Sequence, residues 1–345
     1  MFSYPSDVIS GVPQGSVLGP LLFLLYTQDT SSVLSYSSVL YFADDTKLKI
    51  PIKSQEDCEN LQSDLYSVYQ WADRNKMVLN GEKFKLLRYS ATGNSQDYDY
   101  IDSQGSQIVA CNNAVDLGII MSDNGKFHDH INNIISKANH RQRWILRVFR
   151  TREPAPTMTL FKALVLPIVE YCCQLWHPME AGMTQRIEAI QRSFTARISV
   201  ISHMNYWDRL KYLNVYSLER RRERYSILYV WKILSGLCPN IEGSDSIVPY
   251  HNIRQGRLCH VPGLVRYART GMLTTREGTF AITGPRLFNS IPKELRDYHG
   301  SLNGFKRLLD IFLSDIPDEP PIPGYYRPGS SNGIIEQLRV LRARR

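Results

Sequence analysis

The stretch SVLYFADDTKLKI, residues 38–50, limits what this chain can fold into more than any other. Asp44 and Asp45 stand side by side between two apolar runs, and adjacent like charges repel and cannot both be cheaply buried. The pair therefore belongs at an exposed bend, with Val39 to Phe42 and Lys47 to Ile50 as the arms of a hairpin. Two readings of that bend are open on these residues alone. Asp is common in turns because its side chain bonds nearby backbone groups. A doubly charged turn on a rigid hairpin is also a seat for a divalent cation, whose charge turns the repulsion into attraction.

The chain around this hairpin is long enough, at 345 residues, to bury a sizeable core in two or three units, and 43% apolar with 21% charged residues describes a soluble globular protein. Its formal net charge of +8 is unevenly spread. Residues 1–100 hold 8 Lys and Arg against 12 Asp and Glu, whereas residues 101–345 hold 33 against 21, and residues 126–232 alone hold 18 against 8. Such an asymmetry suggests a polyanionic partner, nucleic acid before membrane. The six cysteines form no C-x-x-C pair or zinc-knuckle spacing, and His251, Cys259 and His260 lack a fourth metal ligand, so reduced thiols are expected. Val17 to Tyr26 is apolar but too short to cross a bilayer, and no basic segment precedes it. A non-membrane, non-secreted protein of the nucleus or cytoplasm is expected.

Four stretches follow one another. The first, 1–89, opens with the Gly- and Pro-rich loop SGVPQGSVLGP, which leads into an apolar helix with Gly19 as N-cap and Pro20 at the first helical position. After the hairpin, Ser54 and Asp57 resemble a capping box, and Cys58, Leu61, Leu65, Val68 and Ala72 recur at helical spacing. The second stretch, 90–122, has alternating runs, DYDYIDS and DLGIIMS, that read as small strands. The third, 123–236, is helical and basic. Ile131, Ile134, Ile135, Ala138, Ile145, Leu146 and Phe149 supply an apolar face, while Lys137, Arg141, Arg143, Arg147 and Arg150 decorate the rest. Another helix, Ser217 to Leu234, carries four arginines in its first two turns, where they oppose the helix dipole. Either solvent or phosphate contact accounts for them. The last stretch, 237–345, mixes Gly, Pro and short periodic segments and reads as flexible beyond about residue 316.

The ordered set SGVPQGSVLGPLLFLLYTQD, FADD and WADRNKMVLNGEKFKLLRY resembles the reverse transcriptase domain of non-long-terminal-repeat, LINE-type and jockey-like retrotransposons. LVLPIVEYCCQLWHP, RIEAIQRSFTARI, DRLKYLNVYSLERRRER and GPRLFNSIPKEL continue the resemblance over nearly the whole chain. It implies an α+β fold, the palm of a right-hand polymerase in incomplete form followed by an α-helical thumb and a partly disordered tail. It implies RNA-directed DNA synthesis from dNTPs on an RNA template and a DNA primer. Asp44 would hold Mg²⁺ directly with Asp45 in support, because Mg²⁺ demands hard oxygen ligands. Lys83 would protonate or neutralise the departing pyrophosphate. Gln14 and Gly15 would lie against the incoming nucleotide and template base, with Phe42 and Ala43 bordering the metal approach. Lys137, Arg141, Arg147, Arg221 and Arg222 would grip nucleic acid.

One departure qualifies the resemblance. Palm catalysis needs a further aspartate on a strand several tens of residues before the loop, and Asp7 stands too near Gly11 to supply it. An N-terminally truncated, inactive fragment is therefore expected. Alternatives to the enzyme are a non-enzymatic nucleic-acid-binding remnant and a host-adopted maturase-like or scaffold protein.

Overall fold

Pro20 lacks only an N–H that a first helical turn leaves unbonded, and α1 (Gly19–Thr27) starts there, with Leu18 rather than Gly19 as its N-cap. The computed structural model describes residues 11–12, 15–90, 97–178, 180–241, 243–262, 277–320 and 332–343. They fall into two compact units, Met1–Ala114 and Val115–Arg345. Within the first unit α1 is apolar all round, yet Leu21, Leu22, Leu24 and Leu25 are 48–53% exposed. A helix without a polar face is ordinarily a buried one.

In the first unit, β1 (Ser38–Phe42) and β2 (Asp45–Lys49) pair antiparallel in the register Phe42↔Asp45 to Ser38↔Lys49. The helix α2 (Gln55–Arg74) follows and begins with the expected capping box between Ser54 and Asp57. Its buried stripe holds Cys58, Leu65, Val68 and Ala72, and one carboxylate, Asp64, that is only 1% exposed. Asp64 accepts the amides of Ser35, Tyr36 and Ser37 at 2.6–2.9 Å and the Ser37 hydroxyl at 2.5 Å, which fixes the entry to β1. Trp71 Nε1 likewise donates to Asp29 at 3.0 Å and ties the chain after α1 to the same helix.

Burial raises the Asp64 pKa, but those donors outweigh it and hold the carboxyl below its usual range. A depressed folded pKa means that the stabilisation is present above the unfolded value and is lost as pH falls through the folded one. The first unit should therefore loosen below about pH 4. Asp64→Asn, which replaces an acceptor oxygen by a donor, should cost about 2–3 kcal/mol at pH 7 and flatten the acid dependence. Urea unfolding at pH 7 and pH 3, followed by tryptophan fluorescence, checks this. Equal stabilities for variant and parent at pH 7 would contradict it.

The unit boundary falls inside β3 (Asn113–Asp116), which pairs with β4 (Ile119–Ser122). DLGIIMS thus forms a strand end, a turn and a second strand. DYDYIDS, expected as a strand, makes only an isolated bridge, Ile101↔Gln107, and the Ile101 backbone exchanges both its hydrogen bonds with the Gln62 side-chain amide.

Helices build most of the second unit: α3 (His128–Val148), α4 (Pro154–Leu164), α5 (Leu166–Glu170), α6 (Cys173–Trp176), α7 (Ala181–Thr195), α8 (Tyr206–Leu213) and α9 (Leu218–Leu234). Ile131, Ile134, Phe161, Val165, Trp176, Ile187, Ile190 and Phe194 interlock as one core. The hairpin of β5 (Pro249–Asn252) and β6 (Gly256–Cys259) leads on to α10 (Phe280–Ser290), α11 (Lys293–Arg296), α12 (Leu302–Ser314) and α13 (Ile334–Ala343). These pack a second core around the C-terminal half of α9, with Trp231 stacked on Phe305 at 4.7 Å. Gly284 lets α10 approach closely, since a Cβ there would come within 3.0 Å of Val230. Leu218 belongs to the first core and Ile227 to Ile233 to the second, so α9 is the spine of the unit. Of the tail expected to be flexible beyond residue 316, positions 317–320 and 332–343 are described. Ile316, Asn332 and Ile334 are buried, and α13 docks through Ile334 and Leu338.

Candidate functional site

The closing pair Phe42↔Asp45 leaves Ala43 and Asp44 as a two-residue turn. Ala43 has φ 52°, in the left-handed region that favours glycine, and Asp44 a negative φ. A left-handed alanine costs roughly 1–2 kcal/mol, and strain of this kind persists where the surroundings hold it. The result is a tip on which Phe42, Ala43, Asp44 and Asp45 are all exposed. Among the described residues neither carboxylate accepts a hydrogen bond or pairs with a cation. The turn therefore does not use its aspartates to hold itself together, as an Asx turn would.

Lys83 ends a short 3₁₀ turn, Gly81–Lys83, that Asn80 caps at 3.1 Å through the Glu82 amide, and its side chain is exposed. Gly15 has φ +81°, a backbone state that disfavours any side chain, and a Cβ there would meet nothing within 4 Å. Gln14 lies outside the described residues. No three His, Cys, Asp or Glu side chains stand together as a metal cluster among the described residues.

In the second unit, α3 separates its faces as expected. Ile131, Ile134, Ile135, Ala138 and Ile145 are buried, whereas Lys137, Arg141, Arg143 and Arg147 are exposed on the opposite side. No acidic residue occurs from His130 to Arg152, and none of these four cations has a carboxylate partner among the described residues. Arg141 lies 5.7 Å from the centre of the Trp144 ring. Lys137 with Arg141 and Arg143 with Arg147 are two i, i+4 pairs of cations on the exposed part of the helix.

Arg221 and Arg222, expected to grip nucleic acid, are turned to other work. Arg221 makes a two-pronged bond to Glu170, which Tyr225 also reaches, and Arg222 is 1% exposed with all three guanidinium nitrogens inside. Arg222 faces Cys173, His177, Glu188, Glu219 and Glu223, and burial pushes the carboxyls of Glu219 and Glu223 well above their ordinary range. Arg224 is bidentate on Asp310 at 2.5 and 2.7 Å. Arg220 is fully buried and donates to the carbonyls of Leu313, Ile316, Pro317 and Asn332 at 2.8–3.5 Å. Arg220, Arg221 and Arg224 are thus held by oxygen atoms from distant segments, whereas no guanidinium nitrogen of the buried Arg222 meets a hydrogen-bond partner among the described residues. Glu170, Asp310 and Asp318, the last 4.0 Å from Arg220 Nε, were missed in the sequence. The one available signal was the cost of four cations at a helix start, which demands acceptors without saying which.

Residues 4–112 match the family of reverse transcriptases (RNA-dependent DNA polymerases), a range that nearly coincides with the first unit. The probable RNA-directed DNA polymerase of the Drosophila melanogaster transposon X-element is 27% identical over 201 residues, which cover 56% of this chain and 22% of that protein. That of transposon BS from the same fly is 24% identical over 286 residues, 79% of this chain and 30% of its own length. The polymerase of the D. melanogaster mobile element jockey is 25% identical over 205 residues, 56% of this chain and 22% of its own. This chain thus spans less than a third of these relatives, and no solved structure matches it significantly. Alignments of 201 to 286 residues exceed the 114-residue first unit and must run into the second. Residues 4–112 thus match the reverse transcriptase family, and the chain shows homology to the RNA-directed DNA polymerases of jockey-type non-LTR retrotransposons.

Proposed function

We propose that the first unit is part of a polymerase palm and that the helical second unit begins with its thumb, the two serving RNA-templated DNA synthesis from dNTPs. The observation that carries this is the pair Asp44 and Asp45, exposed on a strained tip that needs neither for its own stability. Two carboxylates supply hard oxygen donors of the kind Mg²⁺ takes, and phosphate, water and other carboxylates complete such a shell. When bound, the metal would stabilise charge on the transferring phosphoryl group. Asp44 is the direct ligand in this reading, and Asp45 supports it. Lys83 meets the pyrophosphate, and Gly15 lets backbone come close to nucleotide and template. Phe42 and Ala43 keep the approach to the carboxylates open. The test is primer extension on a primed RNA by jockey polymerase in which residues 10–89 of this chain replace the matching segment. Extension above a no-enzyme control supports the reading, and its loss in a folded chimera overturns it.

A second reading, nucleic-acid binding without catalysis, is favoured by α3 and does not need the hairpin. Its exposed cations would hold phosphates of an RNA/DNA duplex with little sequence preference. Each lost phosphate contact lowers the steepness of log K against log[salt] by about 0.9, so Lys137→Ala, Arg141→Ala and Arg147→Ala combined should flatten it by up to about 2.7 units. Arg221→Ala with Arg222→Ala should instead lower stability, because the first leaves Glu170 without its two-pronged partner and the second empties a fully buried position. Titrations of the folded chain at several salt concentrations measure the slope. A slope unchanged by the α3 variants returns that face to simple solvation.

A further inference from the structure

The turn from α8 into α9 and the outer face of α12 border a shallow groove, open to solvent, whose lining includes none of the residues discussed for polymerisation. Asn303, Arg307, Asp310, Ile311 and Ser314 line it from α12 at spacings of three and four, which is one helix face, and Lys306 joins them. Asn214, in the left-handed state at φ 48°, and Tyr216 line it from the other side.

The charges in the groove do not cancel. Arg224 and Asp310 neutralise each other in their bidentate pair, and the Tyr216 hydroxyl donates to the Asp310 carbonyl at 3.2 Å, so these three form a fixed floor. Lys306 and Arg307 have no carboxylate partner among the described residues. Around them stand two amides, a serine hydroxyl, an aromatic ring and Ile311, which is 58% exposed. A carboxylate or inorganic phosphate would use the cations and leave the amides, ring and isoleucine idle. A nucleotide uses all of them: phosphate on Lys306 and Arg307, base or ribose edges on Asn214, Asn303 and Ser314, and an apolar face on Tyr216 and Ile311.

We infer that this groove binds a nucleotide, either free or as one unit of a single strand, through a phosphate held by Lys306 and Arg307. The groove and the α3 face share no residue, so the inference stands apart from the reading of α3. The experiment is equilibrium titration of the full 345-residue chain with AMP, the single strand rA4, inorganic phosphate and polyglutamate, followed by calorimetry. AMP should bind, and Lys306→Ala with Arg307→Ala should raise its Kd by about tenfold or more, since bonds to charged groups are the stronger ones. Both side chains reach solvent, and an unchanged circular dichroism spectrum would show that the double variant folds. Tyr216→Phe should keep AMP binding, since the ring remains. The Lys137, Arg141 and Arg147 variant should bind AMP as the parent does. If rA4 binds more tightly than AMP with the same sensitivity to the double variant, the strand is the source. Otherwise the free nucleotide is. An AMP Kd unmoved by the double variant overturns the inference. Equal binding of phosphate or polyglutamate overturns it too, since that would make the groove a cationic patch without a place for the base.

Discussion

Arg220→Met is expected to lower the stability of the second unit by about 3–5 kcal/mol, as removal of one partner from a buried charged network does. Methionine fills similar space, so the loss would come from bonds rather than volume. Four carbonyl oxygens, those of Leu313, Ile316, Pro317 and Asn332, would lose their donor inside the protein. Asp318, bonded to the Ser217 amide and hydroxyl and to Asn332, would lose the cation beside it. Arg220→Lys should rescue little, because an ammonium has three donors and cannot span the positions a planar guanidinium reaches. Arg150→Met, at an exposed site, should change stability by no more than about 0.5 kcal/mol. Urea unfolding of the three variants settles the comparison. A loss at Arg220 as small as that at Arg150 would mean that water replaces the guanidinium at no cost.

The second large effect concerns chemistry. In the jockey chimera, Asp44→Asn should reduce primer extension by about a thousandfold, since a metal stabilises the transition state by several kcal/mol and each 1.36 kcal/mol is a factor of ten. The amide keeps the size and loses the charge. Asp45→Asn should cost less, because Asp45 closes the strand pair opposite Phe42 and lies one position off the turn. Single-turnover rates at saturating dNTP separate this effect from weaker binding. Equal rates for parent and Asp44→Asn would reduce the hairpin tip to an ordinary turn.

Local rules explain why some elements were legible in the sequence. Ser54 and Asp57 carry their capping geometry within four residues, and the apolar spacing after them shows the buried face of α2. The hairpin was legible for the same reason, although β2 begins at Asp45, earlier than the Lys47 expected from the apolar run. Asp64 was overlooked because a single carboxylate within a helical stripe looks like interruption, while its partners at residues 35–37 lie on another segment. The arginines of α9 failed for a stronger version of this. Glu170 is 51 residues from Arg221 and Asp310 is 86 from Arg224, so no local pattern distinguishes a cation facing solvent from one facing a distant carboxylate. On α3 the contrast holds: with no acidic residue between His130 and Arg152, charge and exposure agree.

The cage around Arg220 also sets an order of events during synthesis. Its last oxygen, from Asn332, lies 112 residues downstream, and Glu223 waits 111 residues for the Ile334 amide. Contacts of such long sequence separation form late, since the intervening chain must be closed before any bond rewards it. While a ribosome is still producing residues 225–331, Arg220, Glu223 and Arg224 lack partners that are yet to be made, whereas the Glu170 that holds Arg221 is already present. The second core, which includes Ile316 and Ile334, thus cannot close around α9 until nearly the whole chain has emerged, whereas the buried residues of the first core, Ile119 to Leu218, are all made before it.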